Sequence, residues 1–364
     1  MKLLTPFYGK EMEYGAKILD LHGWQIPLMY TSPVEEYRMV RERAGFTEYS
    51  FNTLLAVVGK DSFSLMQKMM VNDLRNISVG HMIYSSILDE EASLVEDVTI
   101  LWVEDNYFFI NAGMNKQGLI ELLKKNASGL DAYIVDTGAC FLAFQGPKSR
   151  EILQKAMNVK DLPYFGVKED ELGEIPVLVD RAGFTGELGY EFYIHSSHAH
   201  ALWDTLIDLG KEYKVGPFGL AVTGKTGVEK GYLYGPDFYP GSTPLEWGLE
   251  RTVAFDKGDF SGKKALLRKK KEGLKTKLIG FEISDPKVVA ETGDKLLKGG
   301  KVIGAVTNAT YGIAVGKSIG RGWVKIEYAN AGEELEVEHE GKPTKISVAK
   351  NYRWFDPENK ILKG

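Results

Sequence analysis

The chain has 364 residues, 44% of them apolar and 26% charged, with 45 basic and 50 acidic residues, a net charge of −5 and one cysteine. That length suits two or three domains of roughly 100–200 residues each. The acidic balance argues against a nucleic-acid binder, which needs a basic surface, and a single thiol excludes an internal disulfide. No uninterrupted apolar run reaches the roughly 18 residues of a membrane span. The first residues mix charge with aromatics and do not resemble a signal peptide, so the cytoplasm is the expected location.

In chain order, 53–58 reads as a β-rich strand ending at Gly59, and Asp61 is placed to cap a helix with Phe63, Met66, Met69 and Met70 on its apolar side. Strands are predicted at 82–88, 98–103 and 107–110, separated by the polar turns 89–93 and 104–106. A helix over 115–125 and a strand over 132–135 close this unit. The order then recurs: a strand at 141–144, a helix opened by Gly146-Pro147 and carrying Ile152, Leu153 and Met157, strands at 177–180 and 190–194 about a glycine-rich turn, and a helix over 201–209. The segment from Leu54 to Met70 and that from Cys140 to Met157 read as a weak internal repeat. This pattern predicts antiparallel α+β units rather than a doubly wound parallel sheet. The basic stretch 268–277 reads as the approach to a linker. Beyond it, short glycine-punctuated strands at 278–283, 301–307, 319–324, 335–337 and 344–349 predict an all-β barrel or jelly roll.

Several motifs bear on chemistry. Gly219 to Thr226 fits GxxxxGK[ST] letter for letter. A phosphate loop needs a strand before it and a helix after it; Pro217 precedes and Gly227 follows at once, so nucleotide binding is not the preferred reading. His195, His198 and His200 lack an acidic or cysteine partner at ligand spacing and read as polar surface, so no metal site is expected. Gly316 to Gly322 is glycine-rich without the strand–helix setting of a dinucleotide site. Cys140, in the apolar run 139–142, reads as a buried structural thiol, because no basic neighbour activates it. Glu96-Asp97 places two carboxylates at the mouth of a predicted strand with apolar neighbours, where partial desolvation raises a pKa and suits proton transfer. A solvated strand end is the equal alternative. The run Arg181-Ala182-Gly183-Phe184-Thr185-Gly186-Glu187-Leu188-Gly189-Tyr190-Glu191 combines glycines that allow close approach to a flat ligand with acids able to accept two hydrogen bonds from an amidine-like edge.

That hairpin resembles R-x-G-[YF]-T-G-E-x-G-[YF]-E of the T-protein (aminomethyltransferase) family of the glycine cleavage system. The resemblance extends over nearly the whole chain: Gly23-Trp24, Pro27, Tyr30, Glu35 and Arg41; Gly45-Phe46 and Ser50; Asn72-Asp73; Asn111-Ala112; Gln145-Gly146-Pro147; Glu229, Tyr232 and Tyr234-Gly235; Pro244, Glu246, Gly248-Leu249 and Asp259 to Lys263; Thr307-Asn308; and Ser318-Ile319-Gly320. Their order and spacing are together specific.

The resemblance implies an α+β fold of three domains in a cloverleaf ring, with ferredoxin-like antiparallel units, a C-terminal β-barrel and tetrahydrofolate in the central hole. The expected division is 1–52 with 138–275, then 53–137, then 276–364. It implies transfer of an aminomethyl group from the lipoyl arm of a carrier protein to tetrahydrofolate, releasing ammonia and forming 5,10-methylenetetrahydrofolate. Glu96 falls on the family's catalytic aspartate and Asp97 on its acidic neighbour. Glu191, Tyr232, Phe184, Asn111, Arg181 and Lys225 are the expected folate-site residues.

The sequence departs from the family at Glu96, one methylene longer than aspartate, and at Glu48-Tyr49-Ser50-Phe51. It departs again at 221–227, where the usual folate arginine is missing and Lys225 is a displaced substitute, and at Phe184, which lacks a hydroxyl. Two alternatives follow: a tetrahydrofolate-dependent demethylase acting on a small methylated substrate, and a folate-binding protein without transferase chemistry. A monomer or weak dimer is expected.

Overall fold

The computed structural model describes residues 2–363. Two five-stranded antiparallel sheets and a closed six-stranded barrel hold most of the chain. The second sheet runs His81–Leu88, Leu94–Glu104, Tyr107–Ala112, Thr53–Val58, Tyr133–Asp136. The first repeats that order with Val167–Leu172, Ile175–Asp180, Gly189–His195, Ala139–Gln145, and takes its fifth strand, Gly45–Glu48, from upstream. The weak repeat in the sequence is therefore a repeat of topology.

Period-two alternation sorts the side chains of these strands. In Thr53–Val58, Leu55 and Val57 pack under the helices Ser62–Met69 and Lys116–Asn126, whereas Leu54 faces the other sheet. In Ala139–Gln145, Cys140, Leu142 and Phe144 lie in the core that includes Trp203 of the helix Ala199–Leu209. Phe141 and Ala143 point the other way and meet Leu54, Leu101, Phe109 and Tyr193 in an apolar seam between the two sheets. The strands are buried on both faces, which accounts for their near-continuous apolar runs.

The barrel closes in the order Thr276–Ile283, Lys317–Lys325, Lys301–Gly312, Lys295–Lys298, Glu334–His339, Lys342–Val348. It is a closed barrel, not a jelly roll. Lys295–Lys298 has no alternation to announce it. A fully buried pair, Arg321 Nη2 to Asp237 Oδ2 at 2.7 Å, ties the barrel to the segment leading from the cavity described below. Among the described residues no helix is long and apolar enough to cross a membrane.

Some local expectations change. Asp61 stands at the start of Ser62–Met69 without capping it; its carboxylate accepts the Asp131 N–H at 2.8 Å. The helix after Gly146-Pro147 is only Ser149–Leu153, so Met157 reaches the core from a turn. The strand expected at 98–103 begins at Leu94, so Glu96 and Asp97 lie within it rather than at its mouth. The segment matching a phosphate loop is itself the first half of a helix, Leu220–Lys230. The Glu36 carboxylate already accepts the Gly219 N–H at its start, at 2.9 Å, and an acid there repels phosphate.

Glu11 and Glu48 form a buried acid pair beneath Tyr30, and burial pushes the Glu11 carboxyl up to about 9. A carboxyl raised on folding stabilises the fold most below its ordinary range, and that contribution is lost as pH rises toward the folded value. The loss is at most about 1.4 kcal/mol per pH unit. Glu11→Gln keeps a donor for Glu48 without ionising. Its melting temperature relative to the parent should therefore be higher at pH 8 than at pH 5, read by thermal denaturation at both.

Candidate active site

The inter-sheet seam ends in a cavity of about 310 Å³. Its walls come from both sheets, from residues 230–233 after the helix Leu220–Lys230, and from the tail that leaves the barrel. Phe184 and Tyr232 flank it with rings 5.7 Å apart at 69°, and Tyr164 and Phe165 stack at 4.2 Å on another side. The surface is aromatic and suits a flat ring.

The hairpin 181–191 reaches this cavity because three close contacts shape it. Gln145 donates to the Ala182 carbonyl at 3.1 Å and accepts from Thr185 Oγ1 at 2.8 Å. A Cβ on Gly183 would stand 1.9 Å from the Gln145 carboxamide, so only glycine fits. Arg41 then fastens the turn, donating to the Thr185 carbonyl at 2.9 Å and to Glu187 at 3.0 Å. Glu187 is thereby consumed by a buried ion pair. Of the two hairpin acids, Glu191 is the one that lines the cavity.

Glu191 is 3% exposed, and among the described residues its Oε1 has no hydrogen-bond partner. Burial pushes its carboxyl up to about 7. Directly across the strand pair stands Asp180, fully buried. The Tyr193 hydroxyl lies 3.2 Å from Asp180 Oδ2 and 3.4 Å from Glu191 Oε2, and accepts from Asn111 Nδ2 at 3.1 Å. Asn111 in turn accepts from Asn52 at 2.8 Å. It thus bridges the sheets behind Glu191.

At the other end, register separates the two neighbouring acids. Tyr84 pairs with Thr99 and Ser86 with Asp97, so Asp97 shares a face with Tyr84 and Thr99, which line the cavity. Tyr84 donates to Asp97 Oδ2 at 3.1 Å, and burial raises that carboxyl to about 6. Glu96 points to the opposite face, where its Oε2 accepts the N–H of Asn115 at the start of Lys116–Asn126, at 3.1 Å. Burial, with the Asp97 charge, raises it to about 7. Gly113 leaves room for it, since a Cβ there would meet Glu96 Oε1 at 2.8 Å.

Two expected ligand residues sit elsewhere. Arg181, one residue out of phase with Asp180, turns away from the cavity and donates to the Leu162 and Leu362 carbonyls at 3.2 and 2.9 Å. Lys225 reaches across to the barrel and donates to Thr310 Oγ1 at 3.2 Å. The cavity basic groups are instead Lys230, bonded to Asp356 at 3.0 Å, and the exposed Arg353. Tyr164, Asp180 and Arg353 escape the sequence reading, the last because it follows the whole barrel. The helix glycines in 221–227 serve packing: Tyr234 lies against Gly224 and Gly227 and donates to the Gly224 carbonyl at 3.1 Å.

The arrangement is that of an α+β protein with an aromatic cavity, a buried carboxyl, Glu191, on one wall, and a second carboxyl, Asp97, held by the wall residue Tyr84. Residues 7–257 match the family described as the GCVT N-terminal domain, and residues 276–353 match the glycine cleavage T-protein C-terminal barrel domain. The chain is 33% identical to the aminomethyltransferase of Thermoanaerobacter sp. (strain X514) over 357 residues, 96% of each chain. It is 33% identical to that of Clostridium botulinum (strain Kyoto / Type A2), over 98% of each. The crystal structure of glycine cleavage system aminomethyltransferase T from Bartonella henselae superposes with a TM-score of 0.91 at 26% identity, covering 97% of this chain and 99% of that one. The chain belongs to the glycine cleavage T-protein family.

Gly183→Ala must displace the Gln145 carboxamide and loosen the hairpin. It should cost about 1–3 kcal/mol, the usual range for overpacking, measured by urea unfolding.

Proposed function

We propose that this transferase moves an aminomethyl group from a lipoylated carrier protein to tetrahydrofolate, yielding 5,10-methylenetetrahydrofolate and ammonia. The observation that carries the reading is the unpartnered, buried Glu191 oxygen inside an aromatic cavity. Buried acceptors are normally satisfied, and the adjacent N–H donors on the edge of a reduced pterin are the group that satisfies this one. Bound there, tetrahydrofolate supplies the amine that takes up the one-carbon unit.

The chain's own residues bind, orient and handle a proton. Phe184 and Tyr232, packed edge to face, offer a ring an aromatic wall, and Glu191 fixes its edge. Asn111 acts behind Glu191 through Tyr193 rather than on the ring. Asp97, held by Tyr84 at the cavity wall, is the proton-handling group. Its carboxyl titrates close to neutrality and Tyr84 fixes Oδ2, so Oδ1 is the atom left to take or give a proton. Glu96 serves as an anchor on the start of the helix Lys116–Asn126, where a carboxylate is favoured. Arg353, exposed at the cavity, suits the negatively charged tail of folate, while Lys230 is held by Asp356. The three-part division 1–52 with 138–275, 53–137 and 276–364 accompanies this reading, each part lending a wall or a segment to the cavity. The names of the relatives favour an aminomethyl donor over a small methylated compound.

The test is turnover with an aminomethylated lipoyl carrier and tetrahydrofolate. Asp97→Asn should lower kcat by about a hundredfold or more, the scale of general acid–base catalysis, with folate affinity largely kept. Glu96→Gln should lose less than tenfold. The reverse ranking would return the proton to Glu96. A protein that binds no tetrahydrofolate and releases no ammonia from the carrier overturns the function.

A further inference from the structure

Among the described residues, Asp180 is the buried acid beside the cavity to which neither the family resemblance nor the mechanism gives a task. It is paired with Glu191 in strand register, and both carboxyl groups project from the same face. The Tyr193 hydroxyl bridges Asp180 Oδ2 and Glu191 Oε2, and among the described residues neither Asp180 Oδ1 nor Glu191 Oε1 has a hydrogen-bond partner. Among the described residues, no Lys or Arg bonds either carboxyl; the side-chain donor aimed at them is the Tyr193 hydroxyl, which has one proton for two acceptors, and the Ala182 N–H acts on Asp180 alone. Two adjacent buried carboxylates without a cation cannot both ionise, so the pair retains a proton. Asp180 is fully buried and stands behind Glu191, which alone of the two lines the cavity.

We propose that Asp180 is a positioning residue that keeps the shared proton and donates it to Glu191, so that Glu191 presents an anionic oxygen to the N–H edge of a flat ligand. The proposal rests on the reading of Glu191 as the residue that grips that edge. Tyr193, held by Asn111 from the facing sheet, fixes the far oxygens of both groups and leaves Glu191 Oε1 toward the cavity.

The other titratable groups facing the pair are Tyr49, Tyr164 and Tyr232, all raised by burial and hence neutral from pH 5 to 9, with Arg353 and Lys230 beyond them at the cavity. In that range the pair therefore changes charge by losing one proton from Glu191. Burial raises Glu191 to about 7 and Asp180 well above its usual range. Affinity for an N–H edge follows the anion, so it should rise with pH through neutrality, by about tenfold between pH 6 and pH 8 for a midpoint near 7.

Tetrahydrofolate affinity, measured anaerobically by tryptophan fluorescence from pH 5.5 to 8.5, tests this. Asp180→Asn retains a donor toward Glu191 and should hold the midpoint within about half a unit of the parent. Asp180→Ala removes the donor, leaves Glu191 harder to ionise and should move the midpoint up by about one unit. If Asp180 instead carries a charge, Asp180→Asn relieves repulsion and moves the midpoint down, which overturns the proposal. Equal loss at every pH in both variants means a purely structural role and also overturns it. Asp97 titrates identically in all of these proteins and cancels in the comparison.

Should Asp180→Ala fail to fold, the infrared difference between the parent and Asp180→Asn at pH 8 decides. The difference must contain a protonated carboxyl band that the parent has and the variant lacks; a difference without that band sinks the idea. Glu191→Gln separates the two levels of the argument. If it binds tetrahydrofolate as the parent does, the reading of the site fails. If it loses affinity while Asp180→Asn and Asp180→Ala share the parent's profile, only the role of Asp180 fails.

Discussion

Two sheets pressed face to face along a seam of Phe109, Phe141 and Tyr193 determine where the cavity's carboxyl groups stand. The Phe141 and Tyr193 rings stack at 4.9 Å, and Phe109 approaches Tyr193 at the same distance from the other sheet. This contact fixes the Tyr193 hydroxyl where it meets Asn111, Asp180 and Glu191 at once. The polar end of the seam exists because the apolar part holds it in place. A shift of one residue in either sheet would carry Glu191 or Asp97 to the helix side.

Much of this was legible in the sequence, and what was not has identifiable causes. Strands such as Thr53–Val58 announce themselves because both faces are apolar and glycine or polar turns bound them. The barrel is visible from its short, evenly spaced strands. The choice between Glu96 and Asp97 was not legible, because it depends on strand phase and the strand begins four residues earlier than its apolar run. Resemblance favoured Glu96; pairing with Ser86 places Asp97 on the cavity side. Arg181 fails for the same reason, since it neighbours the hairpin in sequence but alternates away from Asp180. Arg353 and Tyr164 come to the cavity from segments with no local signal, through docking of the barrel tail and the turn before Val167–Leu172.

The accidental phosphate-loop match has a physical explanation. Gly224 of the motif and the following Gly227 sit inside a helix, where glycine costs roughly 1 kcal/mol relative to alanine. Here they allow Tyr234 to pack against the helix, and Tyr234 lies over Arg321, the barrel's buried cation. The Arg321–Asp237 pair and the Tyr234 contact dock the barrel against the segment that carries Tyr232. The letters of a nucleotide motif therefore record a packing solution, and the helix start they would offer to phosphate is held by Glu36.

Three acid pairs among the described residues have carboxyls raised by desolvation, and their surroundings separate their roles. Glu11 and Glu48 lie in the core beneath Tyr30, away from the cavity lining. Glu96 and Asp97 are split by strand alternation, so one braces a helix while the other meets the cavity edge. Asp180 and Glu191 stand side by side across a strand pair, so one must hold a proton for the other to be an acceptor. Desolvation acts on all three, but only where an unsatisfied oxygen meets a cavity does it become recognition. The same burial that makes Glu191 costly without a ligand makes its hydrogen bonds to one strong, because little water competes for them.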